Sequence, residues 1–529
     1  MTALALINAQ VHTMAPGHPH ASGLLIQGGV ISLLFREDGK PSLRTPAEVI
    51  DLRGKTVLPG LIDSHLHLRQ YAENLQKIDC ETPTRMECLD RVRERARITP
   101  PGAWILGHGW NHNIWPEGYG SAADLDLIST DHPIYLTGKS LHVSWANTCA
   151  LELAGITPET PDPPGGQLGR DQAGKLTGIL LENAVKLIEV HILQPGTEEI
   201  AQAIRSAQQN LWKVGLTGVH DFDRVPCLEG LRILEDREQL GLRVLKSIPA
   251  DFLPEALELG YQTGAGTDWL WFGGVKDFMD GALGPQTAAL LAPYQGQEGS
   301  GLLLRSEDEI FKLGRSAAEG GLSLSIHAIG DLANHTLLNA IQRLREYEKE
   351  RAIPPLPHRI EHLQLIDPQD IPRLAELKVT ASMQPIHATS DMEMADNYWG
   401  DRCRYAYAPK YPLEAGARVI FGSDAPVEDP NPWLGIHAAV TRRRADGQPG
   451  PQGWHPEGRL SLQDALAAFS AAPGQAAGRG DRQGQLIPGF WADLIVLEED
   501  PFLVSPDDLK QIRPCGTMIN GEWAWRDFS

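Results

Sequence analysis

Eight short apolar runs between residues 59 and 426 constrain the fold more than any other feature of the chain. They read "PGLIDSHLH" (59–67), "TGVHDF" (217–222), "LRVLKSIPA" (242–250), "GGVKDFMDG" (273–281), "LSLSIHAIGD" (322–331), "HRIEHLQ" (358–364), "VTASMQP" (379–385) and "RVIFGSDAP" (418–426). Each has the length and composition of a buried strand. Helical stretches lie between several of them, such as "TEEIAQAIRSAQQNLWKVG" and "EDEIFKLGRSAAEGG". Strand then helix, repeated, predicts a parallel sheet, and eight repeats predict a TIM-like (β/α)8 barrel over residues 59–479. A doubly wound open sheet would carry a G-x-G-x-x-G after an early strand, and none is present.

Both ends of the chain have a different style. Residues 1–58 hold short alternating pieces such as "ALALINAQVHTM" and "GLLIQGGVISLLF", broken by Gly and Pro, and residues 480–529 resume it in "GQLIPGFWADLIVLEEDP" and "GTMINGEWAW". Neither end has enough apolar surface to fold alone. Together they are expected to form one small β-sandwich domain built from both termini. The gap after the first barrel strand is long. Residues 70–210 form an insert rich in Trp, Gly, His and Pro, expected at the C-terminal mouth of the barrel as a lid or substrate wall.

Polar residues stand at the ends of the strand-like runs, where the interior penalises unpaired polar groups. They are His65 and His67 in the first run, Lys276 in the fourth, His327 in the fifth, His362 in the sixth and Asp424 in the eighth. His65 and His67 are two apart, so in a strand they share a face. Carried to one barrel mouth, four imidazoles, a carboxylate and a lysine suit a divalent cation. Asp63, Glu361 and Asp331 are candidate acceptors for the second ring nitrogens. Trp110, His112 and His142 in the insert, with Asp280 and Gln384 near strand ends, are candidate substrate contacts.

A net charge of −21 argues against nucleic acid or an anionic membrane as partner and says nothing of the substrate, for which a small molecule is expected. No apolar run approaches the length of a membrane helix. The six cysteines lack C-x-x-C spacing, and the first residues lack a basic n-region, so a cytoplasmic location is expected. The oligomeric state is open, and a homo-oligomer is compatible with the sequence.

"PGLIDSHLH", "VKDFMDGALG", "IHAIGD", "RIEHLQ" and "GSDAPVEDPNP", in this order, resemble the amidohydrolase superfamily, and within it the family 3 branch that includes N-substituted formamide deformylases. "GQLIPGFWADLIVL" matches that family's return to the β-domain, so the resemblance runs nearly end to end. It implies one metal on His65, His67 and Asp424, a second on His327 and His362, and Lys276 between them as an N-carboxylated bridge. Two zinc ions per chain are expected. The implied reaction is hydrolysis of a C–N bond in an amide, formamide or N-acyl compound by metal-bound hydroxide, with Asp424 as proton shuttle. A deaminase of a cyclic amidine on the same fold is the alternative, and a non-catalytic binding or regulatory relative is a third reading. Retention of Lys276 favours the first over the second, and retention of all six positions disfavours the third.

Overall fold

The computed structural model describes residues 3–36, 47–112, 115–138, 143–192 and 195–528. All eight apolar runs form strands of one eight-stranded sheet, consecutive in space as in sequence. These strands are β1 (Leu61–Leu66), β2 (Leu216–Asp221), β3 (Arg243–Pro249), β4 (Leu270–Phe278), β5 (Leu324–Ala328), β6 (Arg359–His362), β7 (Thr380–Met383) and β8 (Val419–Phe421). Every neighbouring pair is parallel. In β1, β2, β6, β7 and β8 every residue is buried, which is why these strands read as continuous apolar runs rather than alternating ones. The expected helices also form, over Thr197–Lys213 and Glu307–Glu319.

The barrel closes where the chain leaves β8 and meets β1. Asp424 N–H donates to His65 O at 2.6 Å, and His67 N–H to Ala425 O at 2.8 Å. A Cβ on Gly422 would lie 2.4 Å from the His65 nitrogen, so this approach requires a glycine.

The termini pair with each other. Leu494–Leu497 runs antiparallel to Thr56–Pro59, joining C-terminal and N-terminal strands in one six-stranded sheet. A four-stranded sheet of Ala3–Ile7, Gly23–Gln27, Val30–Phe35 and Ala47–Asp51 faces it through a shared core of Leu6, Leu24, Ile26, Val57, Val496 and Met518.

Ala72–Glu199 is a compact unit of its own. It contains a six-stranded sheet from Ile78–Asp79 to Leu176–Glu182, with a core that includes Trp110, Trp115 and Trp145. The chain enters it shortly after β1, the strand that carries His65. Among the described residues no helix is long and apolar enough to cross a membrane.

Candidate active site

β1 delivers His65 fully buried and His67 just past its end, partly exposed. Asp424 follows β8 in the left-handed region (φ 61°), a conformation held by its backbone bond to His65. Its Oδ1 lies 3.4 Å from His65 Nε2 and 3.4 Å from His67 Nε2. One donor atom from each of the three residues lies within 4.8 Å of the others. Burial alone would push the Asp424 carboxyl up, but His67, His65 and His362 outweigh it and hold the group well below the usual carboxylate range. Burial would lower His67, yet Asp223 and Asp424 carry it up to about 9. The two carboxylates thus favour positive charge in this corner of the barrel.

His362 ends β6, also at positive φ, and its ring centroid is 4.7 Å from that of His65 and 4.6 Å from that of His327. Burial lowers all three imidazoles, His327 to about 3, so they stand as neutral rings, the form that binds metal. Lys276 on β4 is buried beside them and adds to the lowering of each. Burial pulls its own ammonium down to about 8 against the opposing pull of Glu361, Asp424 and Asp277. Its Nζ sits 4.2 Å from the centre of the Phe278 ring and 5.6 Å from that of Phe222. An ordinary ion pair between Lys276 and Asp277 or Asp280 is not what forms. Asp277 pairs with Arg305 at 3.1 Å, and Asp280 accepts backbone N–H bonds from Ala289, Ile329 and Gly330 at 2.8–3.0 Å.

Three of the four histidines share one design: an acceptor hydrogen-bonded to one ring nitrogen leaves the other available. Glu361 lies 2.7 Å from His65 Nδ1, Gln384 Oε1 3.0 Å from His362 Nδ1 and the Gly281 carbonyl 3.0 Å from His327 Nε2. Asp223 Oδ1 lies 3.5 Å from His67 Nδ1. Such acceptors fix the tautomer that coordinates a metal, so the residues present fit the ions that the resemblance implies.

Of the three acids expected to support the histidines, Glu361 reaches His65. Asp63 accepts from Ser423 Oγ at 2.5 Å and from the backbone of His65 at 3.0 Å, tying β1 to the turn that carries Asp424. Asp331 instead accepts from the backbone of Leu291 and Leu332. Arg359 was not anticipated. It lies 2.8 Å from Glu361 and also bonds Ser64 O, Ser382 and His220 Nδ1. Burial would raise the Glu361 carboxyl, but Arg359 and His65 bring it down to about 2. Asp223 was also missed, although it stands just beyond the second apolar run. With Asp221 it accepts the backbone N–H groups of Leu68, Arg69 and Gln70, which holds the turn after His67. Asp221, Asp223 and Cys227 cluster as well, but there the buried Lys246 ammonium, 2.7 Å from Asp221, already supplies the cation.

The candidate substrate contacts have varied positions. Gln384 orients His362 and is buried, with its Nε2 lacking a hydrogen-bond partner. Asp280 holds the loops around Ala289 and Gly330. Trp110 is packed in the core of the 72–199 unit, and its indole N–H donates to Leu136 O at 2.8 Å. His112 stacks on Tyr119 with ring centroids 3.9 Å apart. His142 lies outside the described residues.

The amidohydrolase family pattern (Amidohydro_3) matches residues 48–524. The putative amidohydrolase YtcJ of Bacillus subtilis (strain 168) is 31% identical, over 97% of this chain and 97% of that protein. The N-substituted formamide deformylase of Arthrobacter pascens is 28% identical, over 98% of each. The crystal structure of an uncharacterized metal-dependent hydrolase from Pyrococcus horikoshii OT3 superposes with a TM-score of 0.78 at 28% identity, covering 96% of this chain and 99% of that one. Since the matched span takes in all six polar strand-end residues and the barrel that gathers them, the chain belongs to the amidohydrolase family.

Proposed function

We propose that the chain is a metal-dependent hydrolase that cleaves the C–N bond of an amide, formamide or N-acyl small molecule. The observation that carries this reading is the asymmetry of Asp424. Its Oδ1 faces the Nε2 atoms of His65 and His67, while its Oδ2 is turned elsewhere. His65, His67 and Asp424 would hold one ion, His327 and His362 a second, and Lys276, N-carboxylated, would lie between them; zinc is the proposed metal. Bound divalent ions supply Lewis acidity and lower the pKa of water toward neutrality. Asp424 takes the proton of the attacking water on Oδ2 and returns it to the leaving nitrogen. Gln384, with an amide N–H still available, would bind the substrate's carbonyl side. Lys276, buried without a carboxylate ion pair, supports the amide reading over a cyclic-amidine deaminase, which dispenses with a bridging lysine.

The test is a substrate panel of formamides, N-acyl amino acids, cyclic amides, esters and cyclic amidines, run on zinc-loaded protein. Release of amine from an amide supports the proposal. Ammonia released from amidines, with every amide untouched, would replace it with the deaminase reading.

A further inference from the structure

Phe278 is the last residue of β4. It stands two residues after Lys276, so both side chains point into the barrel, while Asp277 between them pairs outward with Arg305. Phe278 is also the register partner of His327 on β5, and the two ring centroids are 5.1 Å apart. Its ring centre lies 4.2 Å from Lys276 Nζ. Yet 45% of the residue is exposed. Phe222, the other ring beside Lys276, is buried and stacked on His65 with centroids 4.0 Å apart. Phe222 fills the barrel interior, whereas Phe278 leaves nearly half its surface open at the C-terminal mouth. A lone apolar residue on an outer surface needs no explanation. An open phenyl ring against two of the six strand-end residues is different, because a ligand held among them lies beside it.

The place of Phe278 relative to Asp424 decides which half of a substrate it meets. β4 and β8 lie four strands apart in either direction around the sheet, so Phe278 and Asp424 stand on opposite walls of the mouth. In the proposed reaction the leaving nitrogen is at Asp424. The nitrogen and the acyl chain diverge from the trigonal carbonyl carbon, so the acyl chain runs away from Asp424 and toward β4. There it meets an apolar ring and no unpaired carboxylate. Asp277 is held by Arg305, and Asp280 by three backbone N–H groups.

We propose that Phe278 is a specificity-determining residue that binds the acyl chain, and that the enzyme takes amides of apolar carboxylic acids in preference to formamides. A formyl group carries only hydrogen on its carbonyl carbon and leaves the ring exposed. An alkyl chain covers it and removes apolar surface of both partners from water. Full burial of a methylene is worth about fourfold in binding; against a ring covered on one side only, about twofold per methylene is expected. This inference rests on the amide-hydrolase reading and names the substrate class within it.

The test builds acetyl, butanoyl and hexanoyl amides on the amine of whichever panel amide is cleaved fastest. Rates are compared for zinc-loaded wild type, Phe278→Leu and Phe278→Asn, with metal content measured on each sample. From acetyl to hexanoyl, kcat/KM of the wild type should rise at least about tenfold, chiefly through KM. Phe278→Leu, still apolar, should keep most of that gain, and Phe278→Asn should reduce it to less than about threefold at unchanged metal content. Calorimetry reads the same contact without turnover: hexanoate should bind the wild type at least about tenfold more tightly than acetate, and Phe278→Asn should lose that difference. No gain with acyl length in the wild type overturns the proposal, and so does a gain that Phe278→Asn retains. A preference for longer amines instead, abolished by Phe278→Asn, would put the ring at the leaving group and overturn the acyl assignment. If the wild type cleaves no amide of the panel, the amide reading falls and this inference falls with it; amides cleaved without regard to acyl length remove this inference alone.

Discussion

Glu361 and His65 meet inside the barrel near the C-terminal ends of their strands, carboxylate oxygen to Nδ1 at 2.7 Å, with both side chains almost wholly out of contact with solvent. The pair joins the end of β1 to the end of β6. Arg359, two residues before Glu361 on the same strand, balances the carboxylate charge. A site formed by long-range neighbours thus has its hardest electrostatic problem solved within one strand.

Replacing Glu361 with Gln tests that pairing. The amide still accepts from His65 Nδ1–H but leaves the buried Arg359 charge uncompensated. Zinc affinity should fall about 10- to 100-fold, as for other lost ligand-orienting partners. Stability of the metal-free protein at neutral pH should fall by about 3 kcal/mol, the lower end for breaking a buried ion pair. The sign with pH follows from the depressed carboxyl, which sits at about 2 instead of 4.5. Its contribution is fully present above pH 4.5 and is lost as pH falls through 2, so the variant should show a flatter acid limb. Zinc titration and denaturant melts between pH 7 and 2 measure both effects, and unchanged affinity would show that His65 needs no such partner.

Asp424→Asn separates a proton carrier from a mere ligand. Asn keeps one metal-facing oxygen but cannot take and return a proton. Turnover should fall by at least about a hundredfold, the lower end for general acid–base catalysis. Metal content should fall much less, because His65 and His67 remain. Rescue of the rate by excess zinc would refute the shuttle role.

Lys276→Ala should lower metal content and remove most activity. A short carboxylic acid added to this variant should restore some turnover if the native residue is N-carboxylated. Full metal content and a normal rate in Lys276→Ala would exclude a bridging role.

Protein purified without chelator should contain close to two divalent ions per chain by elemental analysis. Stripping with chelator should abolish turnover, and added zinc should restore it. Full activity in protein with no bound metal would sink the mechanism.

The barrel was legible because parallel strands buried on both faces must be written as unbroken apolar runs, and a polar residue inside such a run stands out. His65, Lys276, His327, His362 and Asp424 were visible in that way. Arg359 and Asp223 were not, because nothing in their local pattern separates a buried supporting charge from a solvated one. Their roles depend on Glu361, His65 and His67, brought near by the closed sheet. In the insert, Trp110 and its neighbours read alike whether they line a site or fill a core, and the structure packs Trp110 in the core of its own unit.

The pairing of Thr56–Pro59 with Leu494–Leu497 has a consequence for how the protein is made. On the ribosome the first of these strands emerges long before its partner, with the whole barrel between them in sequence. Until then Thr56–Pro59 offers an apolar edge with open backbone groups, the kind of template on which nascent chains aggregate. It runs directly into the strand that carries His65, so the start of the barrel stays tethered to an unfinished sheet throughout elongation. A message that stops short of Leu494 would yield a product with every candidate ligand present and no partner for Thr56–Pro59 on that side of the sheet.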